Sequence, residues 1–420
     1  MSEADRALLR HLFDVAVAAA LPAQALAKAL PAKPSQGRTV VIAVGKAAAS
    51  MAQALEAEWG PMEGIALTRY GHGLPLQQIE LIEAAHPVPD AAGQEGAARI
   101  LALAESLGEG DTLITLLSGG ASALLSMGLG AITLDEKIAL TQGLLASGAT
   151  ITEMNTVRRH VSALKGGRLA TAAFPARCLT FAISDVPGDI PEAIGSGPTV
   201  PDPTTQAQAR AVLARYGLDP SPAIAAVLND PALESPKPGD PELARANYTL
   251  IASPQMMLEA VAAAAPIPCH LLGDAIEGEA RQVGLVMAGL AKAVAADRST
   301  FVKPCLLVSG GETTVTLPKD ATGRGGRNVE FLMGLAQGIA DIPGITAIAC
   351  DTDGIDGAAE VAGALVDHTT AARAQAIGYS LSEAMQSYDG HGLFERLADQ
   401  VITGPTHTNV NDFRAILIRD

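Results

Sequence analysis

Apolar and polar positions alternate along this chain in short blocks. In residues 3–30, Leu8, Leu9, Leu12, Val15 and Val17 recur on one helical face, and Pro22 restarts a second short helix. The β-branched run TVVIAV (39–44) ends at Gly45-Lys46 and turns into the Ala-rich helix AAASMAQALEAEW. Strand, glycine, helix is the βα turn of a doubly wound sheet. Further strands are expected at 64–70, 79–90, 112–117 and 178–184, and helices at 91–107, 133–147, 152–164 and 205–215. This alternation favours a parallel sheet with helices on both faces. Residues 217–241 carry Pro220, Pro222, Pro231, Pro236, Pro238 and Pro241 and read as a linker. The pattern resumes with strands at 248–252 and 268–272, helices at 254–265 and 277–297, apolar runs at 304–309 and 345–350, and FRAILIRD as a last strand. The fold class is α/β in two domains. Residues 1–235 form a Rossmann-like parallel-sheet domain and residues 236–420 a second, mixed α/β domain. The helices of 3–30 are free to pack on the second.

Candidate chemistry collects where strands end, because ligands of open α/β sheets bind beyond the carboxyl ends of the strands. Five ends carry suitable residues: Gly45-Lys46, Ser118-Gly119-Gly120, Ser184-Asp185, Ser309-Gly310-Gly311-Glu312 and Asp351-Thr352-Asp353. For any one of them the plain reading is a turn or a cap; five in one chain favour function. LLSGG (116–120) echoes LVSGG (307–311), too loosely for a repeat. Gly323-Arg324-Gly325-Gly326-Arg327-Asn328 suits an anion cradle, with glycines for close approach, amides at a helix start, and two arginines. Lys46, expected in the first turn of its helix, opposes the helix dipole unless an anion sits between them. Asp351-Thr352-Asp353-Gly354-Ile355 fails the calcium-loop register at Ile355, so Asp351 and Asp353 suit Mg²⁺ shared with substrate phosphates. Asp185 and Asp189 form a second such pair. Aspartates that merely close turns are the plain alternative for both.

Composition narrows the function. The 420 residues carry a formal net charge of -16, against a nucleic-acid or membrane-surface binder. The local exception is Arg158, Arg159, His160, Lys165 and Arg168. Aromatics are only 3%, so the core rests on Ala, Leu, Val and Ile. Cys178, Cys269, Cys305 and Cys350 are widely spaced and read as reduced thiols. The opening MSEADRALLRHLF has no basic segment before an apolar core, and no apolar run reaches the roughly 18 residues of a membrane span. A cytoplasmic protein is expected, and a homodimer stays open as its assembly. The chain has no GxxxxGK[ST], no GxGxxG after a strand, no GxSxG and no HExxH.

GKAAASM, AHPVPD, LLSGGASALLS, NTVRRHVSALKGGRLA, ISDVPGDIPEAIGSGPTVPDPTT, VSGGETTV, GRGGRN-x-E, DTDGIDGAAEVAGA and TNVNDF span almost the whole chain. Together they resemble the glycerate 2-kinase family, the class II glycerate kinases with a C-terminal MOFRL domain (about 304–418 here). Members are often labelled hydroxypyruvate reductases. The resemblance implies two α/β domains with the active site in the cleft between them. It also implies ATP-dependent phosphorylation of D-glycerate at its 2-hydroxyl, giving 2-phosphoglycerate, with a divalent metal such as Mg²⁺. On that reading Lys46, Arg327 and Asp189 are catalytic, Lys46 and Arg327 as clamps and Asp189 or Asp185 orienting or deprotonating the hydroxyl. Ser118, Gly119, Gly120, Asp185 and Arg324 bind substrate, with Arg324 also reaching nucleotide phosphates. Ser309, Gly310, Gly311, Glu312, Gly325, Gly326 and Asn328 bind the nucleotide, and Asp351 and Asp353 the metal. The rivals are an NAD(P)H-dependent hydroxypyruvate reductase, which the missing dinucleotide fingerprint disfavours, and a non-catalytic sugar-acid or nucleotide sensor.

Overall fold

The structure is a computed structural model that describes residues 1–318, 321–357 and 359–420. It divides into two compact units, Pro22–Ile251 and the pair Met1–Leu21 with Ala252–Asp420.

In Pro22–Ile251 the strands are β1 (Thr39–Val44), β2 (Glu63–Arg69), β3 (Glu80–Ala84), β4 (Thr112–Leu117), β5 (Arg177–Ile183) and β6 (Ala246–Ala252), in the order β3-β2-β1-β4-β5-β6. The pairs β2–β3, β1–β2, β1–β4 and β4–β5 are parallel. Every residue of β4 is buried, the continuous apolar run of a strand covered on both faces. Its core joins Ile42, Val44, Leu67, Ile100, Leu113 and Leu117. The third expected strand is much shorter than 79–90, because the chain leaves the sheet after Ala84.

A second core in this unit joins Leu144, Met154, Val157, Ala209, Leu213, Ile224 and Leu228. It corrects the linker expectation. Residues Pro222–Asn229 are a helix with Ser221 as N-cap and Pro222 in its first turn, and Ile224, Val227 and Leu228 are buried. A proline in that position gives up an amide that has no intrahelical partner anyway, so it starts a helix instead of breaking one. The contact boundary accordingly falls at Ile251/Ala252, not at residue 235.

The other unit has β7 (Cys269–Leu271), β8 (Gly278–Glu279), β9 (Cys305–Ser309), β10 (Thr313–Thr314), β11 (Ile345–Asp351), β12 (Gly363–Asp367), β13 (Gln400–Val401) and β14 (Asp412–Ile418). Its six-stranded sheet runs β13-β12-β11-β14-β9-β7, with β8 and β10 as a separate pair. All neighbours in the larger sheet are antiparallel except β7–β9. Helices Ala280–Ala295 and Arg327–Ile339 pack closely: a Cβ on Gly284 would lie 2.1 Å from the Phe331 carbonyl oxygen, and one on Gly334 2.2 Å from that of Arg281.

The first helix, Glu3–Ala20, belongs to this unit. Ser2 caps it, and Leu9, Leu12, Phe13, Ala16 and Ala20 form its buried face. Phe13 stacks on Phe413 with centroids 5.9 Å apart, and the Thr408 hydroxyl donates to the Ala20 carbonyl at 2.6 Å. The Met1 ammonium pairs with Asp367 and Arg6 with Asp399. Among the described residues no single helix is long and apolar enough to cross a membrane. Phe13→Ala is expected to cost about 3–5 kcal/mol by leaving a cavity against Phe413. Denaturant unfolding of the variant checks this, and an unchanged midpoint would remove the helix from the core.

Candidate functional site

Each unit gathers charged residues at one edge of its sheet. In Pro22–Ile251 the edge is the carboxyl end of β1, β4 and β5. Gly45 takes φ +129°, and a Cβ there would lie 2.2 Å from the Ser118 hydroxyl, so only glycine lets the two strand ends meet. The Ala47 amide donates to the Ser118 hydroxyl at 3.0 Å, and the Lys46 amide to the Gly119 carbonyl at 2.7 Å. The following helix begins at Ala48 with Ala47 as N-cap. Lys46 therefore precedes the cap and is not in the first turn as expected, because the bond to Gly119 holds it in the loop.

A Cβ on Gly119 would lie 2.0 Å from Asp185 Oδ2. One on Gly120 would lie 3.0 Å from His86 Nε2 and 3.4 Å from the Lys46 side chain. The two glycines thus form a floor over which Lys46, His86 and Asp185 converge. His86 carries a pKa lowered to about 4, first by burial and then by the charges of Lys46 and Arg69. Asp189 sits in a short turn at φ +54°, and its buried Oδ1 has no hydrogen-bond partner among the described residues. The buried Tyr248 hydroxyl also lacks one, and burial followed by the charges of Asp189 and Glu192 raises its pKa.

In the other unit the edge collects the ends of β9 and β11 and the start of β14. Arg327 binds three carboxylates: Nε to Asp412 at 2.8 Å, Nη1 to Glu312 at 2.5 Å and Nη2 to Asp351 at 2.6 Å. Burial opposes the guanidinium charge, yet Asp351, Asp412 and Glu312 outweigh it and raise the pKa further. Asp412 also accepts from Asn328 Nδ2 at 2.8 Å and from Arg414 at 2.5 Å. The Asp353 amide donates to Asp351 Oδ1 at 3.0 Å, and the Ile355 amide to Asp353 Oδ1 at 2.9 Å.

The glycine-rich loop departs from the expected cradle. The Asn328 and Val329 amides, at the start of helix Arg327–Ile339, each donate to Asp356 at 3.0 Å. An internal carboxylate therefore occupies the amides of Asn328 and Val329, which the helix leaves open. A Cβ on Gly326 would lie 2.3 Å from that carboxyl group. Burial raises the Asp356 pKa to about 7 against the pull of these amides. Arg324 stays apart from Arg327 and pairs with the exposed Glu395. It lines a cavity of about 550 Å³ with Tyr379, Asp389 and Arg396.

Gly310 and Gly311 are also engaged internally, and Ser309 ends β9 opposite Arg414. Gly310 accepts from Arg414 at 2.8 Å, its amide donates to Gly273 at 2.9 Å, and Gly311 accepts from the Asp412 amide at 3.2 Å. The echo between the two Ser-Gly-Gly turns is thus local. Gly120 caps a four-residue helix, whereas a Cβ on Gly311 would strike the Ile276 backbone at 2.2 Å. Sequence reasoning met Asp356 only in the calcium-loop comparison, which failed, and did not single out Asp412, though both lie in motifs quoted above. All five basic residues at 158–168 prove to be half-buried or buried, four of them bonded internally: Arg159 to Asp202 at 2.9 Å, His160 to Glu234 at 2.9 Å, Lys165 to the Leu125 carbonyl at 2.8 Å and Arg168 to the Leu233 carbonyl at 2.6 Å.

Among the described residues no three His, Cys, Asp or Glu side chains form a cluster able to hold a metal on their own. Glu312, Asp351, Asp353, Asp356 and Asp412 nonetheless outnumber Arg327 and Arg414 in this group. That surplus of negative charge fits a divalent ion held by one or two carboxylates together with substrate phosphates.

Residues 8–229 match a family model described as a domain of unknown function, DUF4147, and residues 305–412 match the MOFRL family. A protein of Agrobacterium vitis with the provisional name hydroxypyruvate reductase is 49% identical over 418 residues, 98% of this chain and 94% of that one. D-glycerate 2-kinase of Thermotoga maritima is 35% identical over 416 residues, 98% of this chain and 97% of that one. The crystal structure of glycerate kinase from Thermotoga maritima superposes with a TM-score of 0.90 at 35% identity, covering 99% of this chain and 100% of that one. The chain belongs to the glycerate 2-kinase family. The α/β architecture of this family member, one parallel sheet and one mixed, is that of the kinase structure.

The His86 environment sets a pH dependence. Its folded pKa of about 4 lies below the ordinary 6.5, so the unfolded chain takes up the proton first as pH falls. Stability owed to this residue is full above pH 6.5, declines between 6.5 and about 4, and levels off below. His86→Gln is expected to flatten that part of the stability–pH curve. Superimposable curves for variant and parent would contradict the assignment.

Proposed function

We infer that the protein transfers the γ-phosphoryl group of ATP to the 2-hydroxyl of D-glycerate, giving 2-phosphoglycerate and ADP. The observation that carries this is the near-full-length match to a D-glycerate 2-kinase, in sequence and in fold. The charged sheet edges agree with it. Phosphoryl transfer needs positioning and charge stabilisation more than covalent chemistry from the protein. A reductase would need a nicotinamide site, and no GxGxxG follows a strand.

Lys46, above the Gly119-Gly120 floor, clamps an anionic group of the substrate or of the transferred phosphoryl. Ser118 fixes the turn that carries Lys46, and Asp185 orients the hydroxyl. Asp189, with a buried oxygen that no described residue satisfies, accepts the hydroxyl proton on this reading. As the oxygen bonds to phosphorus, the bond from the γ-phosphorus to the ADP oxygen breaks and the proton passes to the carboxylate. Arg327 stabilises phosphoryl charge. Glu312 is the partner it releases most readily, being half exposed, while the buried Asp351 and Asp412 keep the guanidinium in place. Asp351 and Asp353 would hold Mg²⁺, whose chemistry there would be to neutralise phosphate charge.

Incubation with ATP, Mg²⁺ and D-glycerate is expected to yield ADP and 2-phosphoglycerate. Formation of 3-phosphoglycerate, or NAD(P)H oxidation with hydroxypyruvate in the absence of ATP, would sink this reading. Lys46→Ala is expected to lose on the order of 2–4 kcal/mol of transition-state stabilisation in kcat/KM. Near-parental turnover would remove Lys46 from the reaction.

A further inference from the structure

Lys137, Arg158 and Lys165 have no carboxylate partner among the described residues. Lys165 is only 3% exposed, and its ammonium donates to the Leu125 carbonyl at 2.8 Å. Lys137 donates to the next two carbonyls, Ser126 at 2.8 Å and Met127 at 2.9 Å. Two ammonium groups therefore gather on one three-residue stretch of backbone, directly after the short helix Ala121–Leu124. That stretch lies beside residues 161–165, since the Ala163 amide donates to Met127 at 3.3 Å and the Leu129 amide to Val161 at 3.1 Å. Arg158, in helix Ile151–His160, is close enough to act electrostatically on both lysines. Its half-buried guanidinium makes no hydrogen bond or ion pair with any described residue.

The neighbouring basic residues mark the contrast. Arg159 and His160 have carboxylate partners, and Arg168 lies within reach of the charges of Glu234 and Asp202. An ammonium carries three donors and a guanidinium five. Lys165 uses one, Lys137 two and Arg158 none. Neutral carbonyls satisfy donors without cancelling charge, and a buried charge without a counter-charge is costly. Burial, then Lys137 and Arg158, push the Lys165 pKa well down, and burial with Arg158 brings that of Lys137 to about 7. Both shifts follow from burial and from the neighbouring positive charges. One turn before Arg158, on the same face of its helix, Asn155 lies 3.5 Å from the Ser196 hydroxyl, which bonds Ser122 at 2.7 Å. These groups add a neutral polar wall.

We propose that Lys137, Arg158 and Lys165 bind an oxyanion, the carboxylate or phosphate group of a small metabolite. Charge-assisted donors drawn from two helices and a loop suit such a group. The carboxylate arm of the proposal rests on the kinase reading, because D-glycerate is its substrate; the phosphate arm does not.

Inorganic phosphate and D-glycerate serve as probes, with thermal unfolding followed at constant ionic strength against chloride. Phosphate is expected to raise the midpoint of the parent protein and of Lys46→Ala. Arg158→Gln is expected to weaken that response on the order of tenfold in apparent Kd. Lys137→Gln, at a partly exposed position, supplies the second variant if Arg158→Gln folds poorly. If Arg158→Gln loses the D-glycerate response as well, the occupant is the substrate's carboxylate; if it loses only the phosphate response, the occupant is a phosphate group. No phosphate response in the parent would overturn the proposal. So would a response kept by both Arg158→Gln and Lys137→Gln, or one lost in Lys46→Ala and kept in them.

Discussion

Two carboxylates meet at one sheet edge, and the surrounding residues answer to that. The register of β11 with β14 sets Asp351 directly opposite Asp412, both almost fully buried. Like charges directly opposite in a sheet destabilise it, and an unpaired buried charge costs several kcal/mol. Arg327 binds both carboxylates at once. Arg414, two residues along β14, takes the second oxygen of Asp412 and ties it to Gly310 at the end of β9. The position of helix Arg327–Ile339 follows, because its first residue is the shared guanidinium and its next two amides hold Asp356.

The mixed sheet makes this meeting possible. With β14 antiparallel to both neighbours, its first residues lie beside the last residues of β9 and β11. A wholly parallel sheet would instead gather only strand C-termini, as β1, β4 and β5 do around Lys46 and Asp185. One chain thus builds a glycine floor beneath Lys46, His86 and Asp185 in one unit and a carboxylate-rich edge in the other.

Much of this was legible in the sequence. TVVIAV and TLITLL coincide with β1 and β4, because strands buried on both faces read as unbroken apolar runs. The turns after them were marked by Gly45 and by Ser118-Gly119-Gly120. Short strands such as GALVD (363–367) were missed, since five small residues carry no period. Pro222 misled because proline marks helix starts as well as loops. In the site, Arg327, Asp351 and Glu312 were identified, but not that they bind one another. Asp412 hid at the start of a strand, and Asp356 stood where a calcium-loop comparison had failed. Long-range register decides such pairings, and residue spacing does not encode it.

The central claim is that Arg327 holds Asp351 and Asp412 together. A double-mutant cycle on folding stability with Arg327→Met and Asp351→Asn tests it most directly. Arg327→Met alone is expected to cost about 3–5 kcal/mol by stranding buried carboxylates. In the Asp351→Asn background the same change is expected to cost less, with a coupling energy of about 0.5–3 kcal/mol. Costs that add to within about 0.5 kcal/mol would contradict the account.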